Sequence, residues 1–208
     1  MRLYATIVQT LGILALVALV SGAALLLALA VPSGRAALRR RLVGLERHVL
    51  GWAWAVALIA MSGSLYLSDV VGLVPCLLCW YQRIAMYPLV LVLGVGVVRN
   101  EPAAWRYGLP LPLVGFVIAA YHVALQLQPS LDVVSCSSGA PCTARYLAVF
   151  GFVSIPWMAG AAFLLITALL LTLRTLGRPD VPAAETFEAS GDGGATGESP
   201  GETGSGAG

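Results

Sequence analysis

No lysine occurs anywhere in this chain of 208 residues, and charge of either sign is scarce. Charged residues make up 11% of the sequence and hydrophobic ones 59%, with a mean hydropathy of +0.87. So little charge excludes an ordinary soluble domain. Up to residue 176 there are four acids, Glu46, Asp69, Glu101 and Asp132, against eleven arginines. None of the four falls inside an expected membrane span, which counts against a carboxylate proton relay or an ion-coupled transporter. No basic patch lies outside the membrane flanks, so nothing points to nucleic acid as a partner. No internal repeat is visible.

What the chain has instead is long apolar runs. The first, about residues 6–31, is ample for one crossing of the ~30 Å hydrocarbon core, which needs about 20 helical residues. Ala28-Leu29-Ala30 resembles a signal-peptide cleavage site, but the run far exceeds the roughly 7–15 apolar residues of a signal peptide, so an uncleaved helix is expected. Next comes the densest charge cluster, Arg35, Arg39, Arg40, Arg41 and Arg47 against Glu46 alone. The positive-inside rule assigns it to the cytoplasm. Each later span then reverses sides: about 49–68 outward, a third back to Arg99, about 107–127 outward, and about 155–173 inward. Nine of the twelve arginines fall on the inner side. All four cysteines fall on the outer side, where disulfides persist. From Gly177 the composition turns to Gly, Glu, Ser, Thr, Pro and Ala, an acidic tail unable to bury a core.

The chemistry is concentrated in Pro75-Cys76-Leu77-Leu78-Cys79-Trp80-Tyr81-Gln82-Arg83. A CxxC closes too small a loop to stabilise much as a staple, but each thiol can attack the disulfide made by the other. The apolar residues 84–98 alone would rise only about 22 Å as a helix, so the third helix must begin earlier, near Cys79 or Trp80. Cys79 and Arg83 are then i and i+4 on one face, and the guanidinium would reach back toward the sulfur. Helix N-terminus and arginine together would favour the thiolate. Arg83 read without this relation is a snorkelling anchor near a helix end.

Cys136 and Cys142, with five residues between them, admit two readings: an inert structural disulfide on the exported face, or a second redox pair. A zinc site built from all four cysteines is disfavoured, because apart from Asp69 and Asp132 neither cysteine loop offers a histidine or carboxylate. No metal is expected. His122 lies near the outer end of the fourth span with Gln126 at i+4, at the depth of Arg83, so both could face one pocket.

Cys76-Leu-Leu-Cys79-Trp-Tyr-Gln-Arg83-Ile with Met86-Tyr87-Pro88 closely resembles the quinone-dependent thiol oxidase family DsbB, in particular its short-looped BdbC-type branch. Tyr121-His122, Leu125-Gln126-Leu127, the second cysteine pair and Gly151-Phe-Val-Ser-Ile155-Pro156-Trp-Met158-Ala159-Gly160 extend the match over roughly 49–174. The first helix is additional to the family's four-helix core, and the second external loop is much shorter than in the longest-looped members. The resemblance implies an all-α membrane protein with a four-helix transmembrane bundle (49–176), to which hydropathy, charge and composition add one N-terminal helix (1–34), a cytoplasmic basic loop (35–48) and a disordered cytoplasmic tail (177–208).

It also implies a relay in the bacterial plasma membrane. A soluble thioredoxin-fold thiol oxidase would attack the Cys136–Cys142 disulfide at Cys136, and Cys142 would open Cys76–Cys79. The freed Cys79 thiolate would meet a quinone, menaquinone or ubiquinone, near Arg83 and His122. The competing readings are a non-enzymatic scaffold with two structural external disulfides, and the same relay run as a reductase.

Overall fold

The computed structural model describes residues 2–131 and 140–177. Cys136 and the acidic tail beyond Gly177, which carry expectations above, lie outside the described residues. Among the described residues, five helices are long and apolar enough to cross a membrane. Among the described residues there is no strand, only an isolated bridge between Val149 and Val153.

Helix α1 (Arg2–Ala30) is followed at once by α2 (Pro32–Leu42). The basic segment expected as a loop at 35–48 is thus mostly helical. Pro32 stands in the first turn, where its missing N–H costs nothing, and Arg39, Arg40 and Arg41 close the last turn against the negative end of the helix dipole. A turn with Gly44 at φ +81° separates α2 from α3 (Glu46–Leu65), and Glu46 accepts the Gly44 N–H at 3.1 Å.

Helix α3 runs on as a π-turn, Tyr66–Val70, so the helical segment reaches past the expected end of the second span and takes in Asp69. The acid is at the very end of that segment, where Ser68 donates to it at 2.7 Å. Helix α4 (Leu77–Val98) begins two residues before the expected Cys79 and spans about 33 Å, enough to cross. It continues through Pro88 at the cost of one backbone hydrogen bond. A short α5 (Trp105–Gly108) leads into α6 (Pro110–Leu127), and α7 (Ile155–Leu176) closes the described chain.

Helices α3, α4, α6 and α7 pack as a ring, α3 on α4, α4 on α6, α6 on α7 and α7 on α3. Their shared core runs from Leu50, Ala53 and Ala57 through Met86, Leu89 and Leu93 to Phe163, Ile166 and Leu170. Phe163 is wholly buried, and its ring occupies the space a Cβ at residue 115 would need, so Gly115 admits the α6–α7 contact. Lipid tails are as apolar as leucine, so close backbone approach and dispersion, not expulsion of water, drive this packing. Helix α1 lies outside the ring against α7. Its buried residues are Val8, Gly12, Ala15, Ala18 and Gly22, a stripe of small side chains. A Cβ on Gly22 would sit 3.1 Å from the backbone of Leu165, which measures how closely the two helices approach.

Candidate functional site

The CxxC is built by the passage from α3 to α4. Gly72 at φ +80° turns the chain out of the π-turn, and Cys76 is extended (φ −72°, ψ 171°) as the N-cap of α4. In that position its sulfur, in place of the usual Ser or Asp oxygen, accepts the Cys79 N–H at 3.4 Å. The free donors of the helix N-terminus therefore serve Cys76, not Cys79 as the sequence suggested, because the helix starts earlier. Cys76 and Cys79 are both thiols, with their sulfurs 3.0 Å apart.

His122 reaches this pair from α6. Its Nε2 lies 3.1 Å from the Cys142 carbonyl oxygen and 3.7 Å from Cys76 Sγ, and its Nδ1 lies 3.1 Å from Gln82 Nε2. A carbonyl only accepts and an amide nitrogen only donates, so the network fixes the tautomer: Nε2 carries the proton and Nδ1 accepts from Gln82. His122 and Gln82 are both buried. The Nε2–H is thus shared between the thiol pair and the backbone of the second external loop. It also occupies the lone-pair direction a metal would need. Cys76, Cys79 and His122 do hold three ligand atoms within 4.8 Å, yet the imidazole arrives as a donor.

Cys142 is disulfide-bonded and 1% exposed, and packs with Cys76, Ala140 and Leu125 in one buried cluster. Its expected partner, Cys136, lies outside the described residues. Gln126, the i+4 neighbour of His122, braces the same loop: its Nε2 donates to the Ala144 carbonyl at 3.2 Å and its Oε1 accepts from Ser154 at 2.7 Å. The Cys76 thiol is lowered from 9.0 to about 4, first because the Cys79 S–H donates to its thiolate, with burial opposing and His122 assisting.

Arg83 takes a different direction from the one its i+4 spacing suggested. Its Nε donates to Ser64 Oγ at 2.9 Å and its Nη2 to the Ser64 carbonyl at 2.8 Å, with the guanidinium 5.3 Å from the Trp80 ring centre. Ser64 on α3 offers both a carbonyl and a hydroxyl oxygen, each a stronger acceptor than a thiol sulfur. The pairing was not legible from sequence, since nothing in an apolar run marks one serine as the partner of an arginine nineteen residues on.

Two cavities meet at Cys79. A small one of about 50 Å³ is lined by Cys76, Cys79, Arg83, His122 and Gln126, so Arg83 and His122 do face one pocket. A large one of about 530 Å³ is lined by Cys79, Gln82, Arg83, Met86 and Tyr87 of α4 together with residues of α1, α3 and α7; His122 is not on it. Arg83 and His122 thus line the small cavity together, and of the two only Arg83 borders the large one. From the sequence Tyr87 is expected at interfacial depth with Trp80 and Tyr81, yet its hydroxyl is buried without a hydrogen-bond partner.

Residues 46–173 match the family of the disulfide bond formation protein DsbB, and the chain belongs to that family. It is 44% identical over 123 residues to the disulfide bond formation protein C of Bacillus subtilis (strain 168), covering 59% of this chain and 89% of that protein. It is 42% identical over 142 residues to a probable disulfide formation protein of Oceanobacillus iheyensis, covering 67% of this chain and 98% of the relative. A probable disulfide formation protein C 2 of Bacillus cereus is 41% identical over 126 residues, 61% of this chain and 91% of that protein. No solved structure matches. This is a multi-pass membrane protein of a disulfide-forming family, with the thiol oxidoreductase chemistry that family membership implies. Helices α1 and α2 lie outside the matched residues.

Proposed function

We propose that this DsbB-family chain is a thiol:quinone oxidoreductase that reoxidises an extracytoplasmic thioredoxin-fold thiol oxidase and passes the electrons to a membrane quinone, menaquinone or ubiquinone. Both cysteine pairs face the extracytoplasmic side, and the tail is cytoplasmic. The observation that carries the reading is the position of Cys79: its partner Cys76 faces the Cys142 loop through His122, while Cys79 itself borders the large apolar cavity beside Arg83.

The thiol side balances as two exchanges. The reduced partner's thiolate attacks Cys136, and its second thiol closes the partner's disulfide, leaving Cys136 and Cys142 as thiols. Cys142 then attacks Cys76 and breaks the Cys76–Cys79 bond, and Cys136 displaces Cys76 from Cys142. The outer pair is again a disulfide and the inner pair a dithiol, the state found here for Cys76, Cys79 and Cys142. In this scheme His122 holds the Cys142 backbone against Cys76 and stabilises the leaving Cys76 thiolate.

A flat apolar ring bearing two carbonyl acceptors fits the large cavity, whose walls are mostly apolar and whose polar residues near Cys79 are Ser64, Gln82, Arg83 and Tyr87, the last with an unpartnered hydroxyl. When bound, quinone supplies a sink for two electrons and two protons. Arg83, held by Ser64, presents fixed positive charge where an oxygen gains negative charge, in a medium of low dielectric.

The test is quinone consumption by purified protein given a reduced thioredoxin-fold oxidase. One quinone reduced per partner disulfide formed is expected. Both cysteine pairs remaining oxidised under excess reduced partner would return the protein to a scaffold with structural disulfides. Electron flow only from quinol to the partner would make it a reductase.

A further inference from the structure

The large cavity is not ring-shaped. Along α1 it is lined by Leu11, Leu14, Ala18, Ser21 and Leu25, and along α7 it runs from Ile155 to Leu169. In each stretch the end residues are fourteen helical steps apart, so the cavity is a slot about 21 Å long. One end holds Cys79, Arg83 and Gly63, and Leu11 packs against Gly63 there; the other end is lined by Leu25, Val56, Leu165 and Leu169 with the Trp52 ring and the small Ser21 side chain.

Helix α1 makes this slot. Its small-residue stripe fixes it to α7, and the adjacent stripe at 11, 14, 18, 21 and 25, spaced three and four apart, faces the space between α1 and α3. Without α1, the groove between α3 and α7 would open to lipid along its length.

We propose that α1 is the wall of a tail channel: the isoprenoid tail of the quinone lies along the stripe from Leu11 to Leu25, so that α1 sets affinity according to tail length. The inference rests on the quinone reading above. Three observations favour a quinone tail over an ordinary acyl chain. The slot is continuous with the redox-active Cys79. A guanidinium lies at that same end. The buried Tyr87 hydroxyl, one turn beyond Arg83 on α4, lacks the partner that a carbonyl oxygen would provide.

The experiment uses the full-length protein, two quinones with the same ring, one tailless and one polyprenyl, and two variants. Ser21→Phe fills the aliphatic part of the slot; Val20→Phe places the same ring on the neighbouring lipid-exposed position, which is 68% exposed. Ser21→Phe is expected to raise KM for the prenylated quinone about tenfold or more and leave the tailless quinone unchanged, with Val20→Phe altering neither. Independently of turnover, a quinone carrying a photoreactive group in its tail should crosslink to peptides within residues 11–25 of the wild type. Unlabelled prenylquinone, and not phospholipid, should compete.

Equal effects of Ser21→Phe on both quinones, or no effect on either, would overturn the tail channel. So would crosslinks confined to other helices, or displaced by phospholipid. A wild type that reduces neither quinone sinks the parent reading instead, and the two failures are thereby told apart.

Discussion

At the scale of residues, the two thiols of one CxxC differ because their backbones differ. Cys76 is the N-cap and collects the helix donors, the Cys79 S–H and the His122 proton; Cys79 lies one turn in, facing the slot. A Cys76 pKa lowered to about 4 leaves the thiolate populated at every pH above that value. The stability it lends the reduced fold is full above the ordinary thiol pKa of 9.0 and is lost as pH falls through about 4. In the reduced protein, alkylation of Cys76 should be slow, since the residue is buried, but flat between pH 5 and pH 8. In Cys79→Ala the principal donor is gone, and the rate should rise with pH through that range; a wild-type rate that climbs about tenfold per pH unit would contradict the assignment.

Arg83 separates sequence from structure at the same scale. Its place beside the CxxC was legible from the spacing; its partner was not, because Ser64 is brought near only by the packing of α3 on α4. A planar fork donates to both Ser64 oxygens at once, which lysine cannot reproduce. Arg83→Lys should therefore insert normally yet show a raised KM for quinone, by roughly tenfold to a hundredfold if one charge-assisted bond of about 1.5–3 kcal/mol is lost. Ser64→Ala should move KM in the same direction with Arg83 intact. Unchanged curves for both variants would make Arg83 a membrane anchor. Gln82 stood in the quoted motif without a role, since a single polar residue in an apolar run does not reveal which neighbour it will meet.

At the scale of elements, hydropathy located the five long helices, because a span must satisfy its backbone internally and so reads as an uninterrupted apolar run. What it missed were features set by local chemistry: the helical α2, where Ala, Leu and Arg are good helix formers behind Pro32, and the N-cap that starts α4 at Leu77. The seat of α1 was also hidden, since a stripe of Gly and Ala in a Leu-rich helix names no partner. The helix contacts themselves depend on missing side chains. Gly115→Leu should disrupt the α6–α7 contact at Phe163, with a loss of about 1–3 kcal/mol in thermal or denaturant stability in detergent. The same substitution at Gly51, where a Cβ meets nothing within 4 Å, should cost little. Equal losses at the two positions would mean that close approach at Gly115 is not what holds α6 to α7.

At the scale of the whole molecule, the proposed sidedness follows from charge, and the chemistry depends on it. With α2 and Arg47 inside, an odd number of later crossings would put the α3–α4 turn and the 140–154 loop on the opposite side, where the partner and oxidising conditions are found. The fold is consistent with one end of the bundle being chemical, since Cys76, Cys79, His122, Gln126 and Cys142 gather there and Arg39, Arg40, Arg41 and Arg174 close elements at the other. Two single-cysteine variants in a background lacking the four native cysteines test it. Ser33 is exposed on α2, and Phe150 is 58% exposed at the tip of the turn joined by the Val149–Val153 bridge. A membrane-impermeant maleimide should label Phe150→Cys in intact cells and label Ser33→Cys only after permeabilisation. Labelling of Ser33→Cys in intact cells, with Phe150→Cys silent, would invert the protein. The cysteine relay would then face a reducing cytoplasm, where its disulfides could not persist.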